Sequence, residues 1–156
     1  MRFGSGLGAA ALGGAALLIA SSLGSARAED GQAAFAHRAD TMKRMGQALY
    51  TTIGRVVRGK AELSDKTVSA AETIVTLAAT IDTLFPAGSD VGDSKMKPEI
   101  ITAGPRVADL VSGVKTAASA LLTAAKAGDK DALAAAYKTQ DDACEACHRE
   151  FRKPTE

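Results

Sequence analysis

Four stretches of apolar residues at helical spacing, with nothing between them that reads as a strand, constrain this chain most. The first runs from about residue 31 to 58, where Phe35, Met42, Met45, Leu49, Ile53 and Val56 recur at steps of three, four and seven. Gly59 stands where a helix C-terminal glycine belongs. The second opens on Ser64 as N-cap with Asp65 in its first turn. Val68, Ala71, Val75, Ala78, Ile81 and Leu84 or Phe85 line its buried face, and Pro86 closes it. Residues 86–98 are rich in Gly, Pro, Ser and Asp and read as a long surface loop. Gly104-Pro105 splits the third stretch into a short turn at 99–103 and a long helix from Pro105 to Ala127. Val107, Leu110, Val111, Val114, Leu121 and Leu122 supply its stripe. Gly128 ends that helix and Asp129 caps the fourth, which carries Leu133, Tyr137, Cys144, Cys147, His148 and Phe151. Short connections and one longer loop predict an all-α, antiparallel up-down-up-down four-helix bundle.

The bundle does not account for the start of the chain. A basic Met1-Arg2-Phe3 precedes an uncharged run from Gly4 to Leu23, and Ser25-Ala26-Arg27-Ala28 follows with small residues where a signal peptidase reads. Residues 1–28 are therefore expected to be a cleaved secretory signal and 29–156 the mature domain. The alternative is an uncleaved membrane anchor. Cleavage would leave 128 of the 156 residues, with 17 basic against 18 acidic side chains once Arg2 and Arg27 are gone. That balance gives no footprint for nucleic acid. No membrane association is expected of the mature form, whose location would be the periplasm if the organism is a Gram-negative bacterium.

Residues 144–148 read Cys-Glu-Ala-Cys-His. On a helix, positions three apart share a face, so both thiols can reach the vinyl groups of one porphyrin while His148 offers an imidazole to its iron. A zinc site would need further ligands, and only His37 remains. A thioredoxin-like pair belongs at a helix N-terminus in a βαβ setting, not near the end of a last helix. A helical interaction module with Cys144 and Cys147 as a plain disulfide remains the haem-free alternative. The chain has no Trp and 4% aromatics, so its Ala-rich core needs either close helix packing or something large inserted between helices.

From the residues alone, the second iron ligand could be Met42, Met45, Met96, His37 or none. Met96 sits in the polar loop, His37 lies beside Arg38 and Asp40, and Met45 reads as core filler.

The mature chain resembles the cytochrome c′ superfamily over residues 31–153. The likeness lies in Arg38-Ala-Asp-Thr-Met42-Lys-Arg-Met45-Gly46, in Pro98-Glu99-Ile100, and in Gly128-Asp129 through Cys144-Glu-Ala-Cys147-His148-Arg-Glu-Phe151-Arg152-Lys153. The resemblance implies one covalent haem c on Cys144 and Cys147, with His148 as proximal iron ligand. The residue four beyond the first-helix arginine faces the sixth iron position in that family, and here it is Met42. Methionine there resembles the low-spin branch, which implies a periplasmic one-electron carrier and not an enzyme, meeting redox partners at the haem edge. The alternative is a five-coordinate protein of the cytochrome c′ type that binds nitric oxide or carbon monoxide.

The resemblance also places Arg38 and Arg152 close to the haem, against the plainer reading of surface charge. Ala39 and Ile101 depart from the Gln and aromatic residue frequent in the family. Tyr50, Tyr137 and Phe151 are expected to pack in the core or at the haem edge. A homodimer through the first two helices is implied too, with Gly46 and Gly54 allowing close approach. Donor, acceptor and pathway are not legible.

Overall fold

The computed structural model describes residues 17–154, with side chains from residue 30 onward. The first half of the expected signal segment lies outside the described residues, and of 17–29 only a helical backbone is described. Helix α1 spans Leu17–Gly46, a π-helical stretch follows at Gln47–Ile53, and a last α-turn, α2, covers Gly54–Val57. The π stretch has a cause in the sequence. Met45, Leu49 and Ile53 are all buried, and two successive steps of four drift sideways around an α-helix of 3.6 residues per turn. The wider π turn keeps them in line, and Gly54 donates its N–H to the Leu49 carbonyl five residues back. Gly59 has φ 66°, so Gly59 and Lys60 N–H groups reach back to the Val56 and Arg55 carbonyls at 2.9 and 2.7 Å.

Helix α3 covers Asp65–Ala78, and the Ser64 N–H donates to Thr67 Oγ1 at 3.2 Å at its start. Thr67, Ala70, Ala71, Ile74, Leu77 and Ala78 are its buried residues, so the core stripe is rotated from the expected one and Val68 and Val75 are half-buried. The α-helix also stops earlier than expected, and a 3₁₀ turn at Ile81–Thr83 carries the chain to Leu84. A second 3₁₀ turn, Pro98–Ile101, precedes α4 at Gly104–Ala127. Gly128, at φ 71°, turns the chain into α5, Lys130–Phe151. The described residues thus form the expected four-helix bundle, α4 packing on α3 and α5 and the π stretch packing on α3.

Helix α4 is long and apolar enough to cross a bilayer by length and composition alone, with a mean hydropathy of 1.2 over its most apolar stretch. Its stripe of Val107, Val111, Val114, Ala118 and Leu121 is buried against neighbouring helices, as in a bundle core.

The Asp129 carboxylate accepts from the N–H groups of Asp131 and Ala132 at 2.9 and 3.0 Å. Asp129→Ala is therefore expected to cost about 1 kcal/mol, read as a lower denaturant midpoint at unchanged slope.

The segment 86–97 is a loop with most of its residues exposed, as expected, but it is tied down at three buried points. Ser89, Ser94 and Met96 are buried, and a side chain at Gly31 of α1 would collide with the Gly88 carbonyl. The segment is a strap laid across the bundle. One end is pinned by Arg38, and the other by backbone bonds from Lys97 to Phe151 (2.8 Å) and from Lys153 to Lys95 (2.7 Å).

Candidate functional site

The strap, the α1–π rod, α4 and the last turns of α5 enclose a mostly apolar cavity of about 540 Å³. Helical spacing puts Cys144 and Cys147 on one side of α5, and both half-buried thiols line the hollow with His148 beside them. No disulfide joins the two sulfurs. Burial pushes both thiols up, and Gln140 Nε2 opposes this at Cys144 by donating to its Sγ at 3.3 Å.

Burial, then the positive charge of Arg152, push the His148 imidazole down, while Glu145 Oε1, 3.9 Å from Nδ1, acts the other way. The net effect favours the neutral ring, which is the form that binds a metal.

The α1 wall contributes Met42, half-buried, and Met45, 7% exposed, with Phe35 and Leu49 near them. Met45 belongs to the core as expected, and His37 is exposed. Met96 does not lie in solvent: at 5% exposure it lines the cavity, because its backbone pairs with Arg152 and draws the strap inward. Its burial corrects the polar-loop reading of this one residue, and composition alone gave no sign of it.

Arg38 is not surface charge either. It is 7% exposed, and Nη1 donates to Leu84 O and Ser89 Oγ (both 2.9 Å). Nη2 donates to Ser89 O at 2.7 Å and Ser94 Oγ at 3.0 Å. The rings of Phe35 and Phe85 lie 5.7 and 5.8 Å from its guanidinium carbon. Arg38 and Arg152 both line the cavity, Arg152 at its exposed mouth beside His148.

Tyr50 lines the edge of the cavity, as expected, while 39% exposed, and its hydroxyl donates to Asp141 Oδ1 at 2.7 Å. Phe151 is buried and Tyr137 half-buried, as expected. Gly54 faces inward, where a Cβ would come within 2.8 Å of Arg58 Nη1 and 3.2 Å of Tyr137 Oη. It makes room inside the bundle and offers no surface to a partner helix.

Gln140 escaped the sequence reading. It is fully buried in the cavity wall, and its Oε1 has no hydrogen-bond partner. Its place one helical turn before Cys144 was the available signal. An unpartnered buried oxygen and two cysteine sulfurs on one wall mark a site built to hold something large. Among the described residues no three His, Cys, Asp or Glu side chains cluster to hold a bare metal ion. A metal that arrives in its own planar ring, anchored through sulfur, fits this donor set.

Three comparisons agree with that fit. A family model described as Cytochrome C′ matches residues 33–152. A cytochrome c′ of Rhodocyclus tenuis is 31% identical over 94 residues, 57% of this chain and 71% of that protein. Among solved structures, a ferrous variant of cytochrome c prime from Alcaligenes xylosoxidans with bound nitric oxide superposes with a TM-score of 0.70. It is 26% identical, covering 78% of this chain and 94% of that one. A carbon monoxide-bound variant of the same cytochrome gives a TM-score of 0.70 at 27% identity, with the same coverage.

Proposed function

The chain belongs to the cytochrome c′ family and so carries one covalently attached c-type haem with iron, and on that premise we propose that it binds diatomic gases at this haem. Cys144 and Cys147 would hold the haem as thioethers, and His148 would bind the iron from the α5 side. The haem would supply an iron able to take up a small ligand. The protein's part is shape and polarity. His148 lines the cavity from α5, and α1 contributes Met42 with Phe35, Ala39 and Met45 beside the charged Arg38 and Lys43. That lining carries the reading: a mostly apolar wall favours the approach to the iron of either a small apolar molecule or a thioether. Nitric oxide and carbon monoxide bound to the Alcaligenes relatives support the first choice.

The Met42 side chain supports a second reading. A thioether is a soft ligand that favours reduced iron, and Met42 lies half-buried in the cavity wall. Bound to iron, it would make a six-coordinate, low-spin one-electron carrier. In neither role is the protein an enzyme.

Visible spectra decide between the two. Gas binding is expected to give a broad high-spin ferrous spectrum that sharpens when carbon monoxide is added, in native protein and in Met42→Leu alike. Sharp low-spin ferrous bands without added gas, lost in Met42→Ala and kept in Met45→Ala, would overturn it in favour of the electron carrier.

Export through the 1–28 signal and residence in the periplasm remain part of the proposal. So does self-association, which would use the outer surface of α1 and not Gly54.

A further inference from the structure

Either reading requires an electron to reach the iron from another molecule, and we infer that the mouth of the cavity is a docking surface for a redox partner bearing an acidic patch. The exposed charged residues lining the mouth are Lys43, Lys95 and Arg152, against one acid, Asp93. A shallow hollow beside His148 adds Arg149 and Lys153, against Glu145. Five bases thus stand with two acids around two hollows that share His148 and Arg152, an excess that the two propionates of a bound haem would reduce but not remove. None of the five takes part in an ion pair among the described residues, although Lys153 Nζ donates to the Ser94 carbonyl at 3.3 Å.

Of the other acids near this face, Asp90 makes no hydrogen bond or ion pair among the described residues and stands only in the field of the buried Arg38. Glu150 is bridged by Arg106 at 2.9 Å, Asp141 accepts from Tyr50, and Asp40 pairs with Arg44 at 3.7 Å. The excess is local, because residues 29–156 carry 17 basic and 18 acidic side chains. A patch of one sign at a cleft focuses the field there and steers an oppositely charged partner, whatever the net charge.

The inference rests on the haem reading, and net charge against local charge gives its test. Hexacyanoferrate(III), an anion, would take one electron from the ferrous holoprotein, leaving ferric iron and hexacyanoferrate(II). Steering by the patch predicts that this rate constant falls about threefold or more as ionic strength rises from about 10 mM to about 0.15 M. The rate with cationic tris(phenanthroline)cobalt(III) should rise over the same range. The triple variant Lys43→Glu, Lys95→Glu, Lys153→Glu should lose the anion's salt dependence while keeping the native visible spectrum. The mature native protein should also be held on a sulfonate resin at pH 7 despite its net negative charge, and the triple variant should pass through.

A rate with hexacyanoferrate(III) that is flat or rising with salt would overturn the inference, as would an unchanged slope in the triple variant. A mature chain that takes up no haem would instead remove the haem reading itself, and this inference with it.

Discussion

Arg38→Leu is expected to lower the unfolding free energy by about 3–5 kcal/mol, measured by guanidinium unfolding of the ferric protein. The guanidinium is buried at 7% exposure, and its four bonds satisfy the Leu84 and Ser89 carbonyls and the Ser89 and Ser94 hydroxyls. Leucine fills some of the space but donates nothing, so the Leu84 and Ser89 carbonyls and the Ser89 hydroxyl lose this donor at once, while Ser94 Oγ keeps the Met96 N–H at 3.3 Å. Each buried acceptor left bare costs about 1–3 kcal/mol, less where the strap can swing out to water. Burial holds the Arg38 pKa below its usual value, and nearby Asp90 partly restores it. Arg38→Lys should fall between: the charge stays, but a single ammonium cannot reproduce the fork that reaches Ser89 and Ser94 together.

A second readout separates this clamp from ordinary core loss. In Arg38→Leu the amides of the strap, 86–96, should exchange with solvent much faster, while those of α4 keep their protection. A loss below about 1 kcal/mol, or strap amides as protected as before, would sink the clamp.

The clamp also shows why the sequence yielded the helices and not the strap. Ser64, Gly59, Gly128 and Asp129 act on backbone groups within a few residues, so each could be read in place, and each cap is where the spacing put it. The Cys144–Cys147–His148 spacing is local in the same sense. Arg38 finds its partners 46, 51 and 56 residues away, and no periodicity reports a match over that distance. Met96 follows from the same blind spot, since its burial depends on pairing with Arg152 at the far end of the chain. Gly54 was misplaced for a different reason. A π turn advances each residue less than an α turn does, so faces assigned at 3.6 residues per turn slip across Gln47–Ile53. The apolar steps of four at Met45, Leu49 and Ile53 were the visible trace of that turn.

The double variant Cys144→Ala, Cys147→Ala is expected to release all of its pigment into acidified acetone, whereas native protein keeps its pigment through denaturation. Either single variant should retain it through the remaining sulfur. The structural consequence should be as large as the chemical one. Without a tether, occupancy becomes an ordinary binding equilibrium, set by the free haem concentration. A chain that loses that equilibrium is left with an open hollow of about 540 Å³, lined by Met42, Leu49, Ile74, Leu110, Val111 and Phe151. Each large apolar side chain deprived of its contact forfeits about 1.5–3 kcal/mol. Three of them amount to about 5 kcal/mol, or a fall of roughly 15 °C in Tm for a domain of this size. The Ala-rich helices have few large side chains with which to close the gap, so the haem-free variant should bind a hydrophobic dye and melt over a broad range while keeping most of its helix. Pigment that stays with the denatured double variant would refute attachment through these two sulfurs. A colourless double variant that melts as sharply and as high as the native protein would show that the hollow closes without a cofactor, and that the bundle does not depend on what fills it.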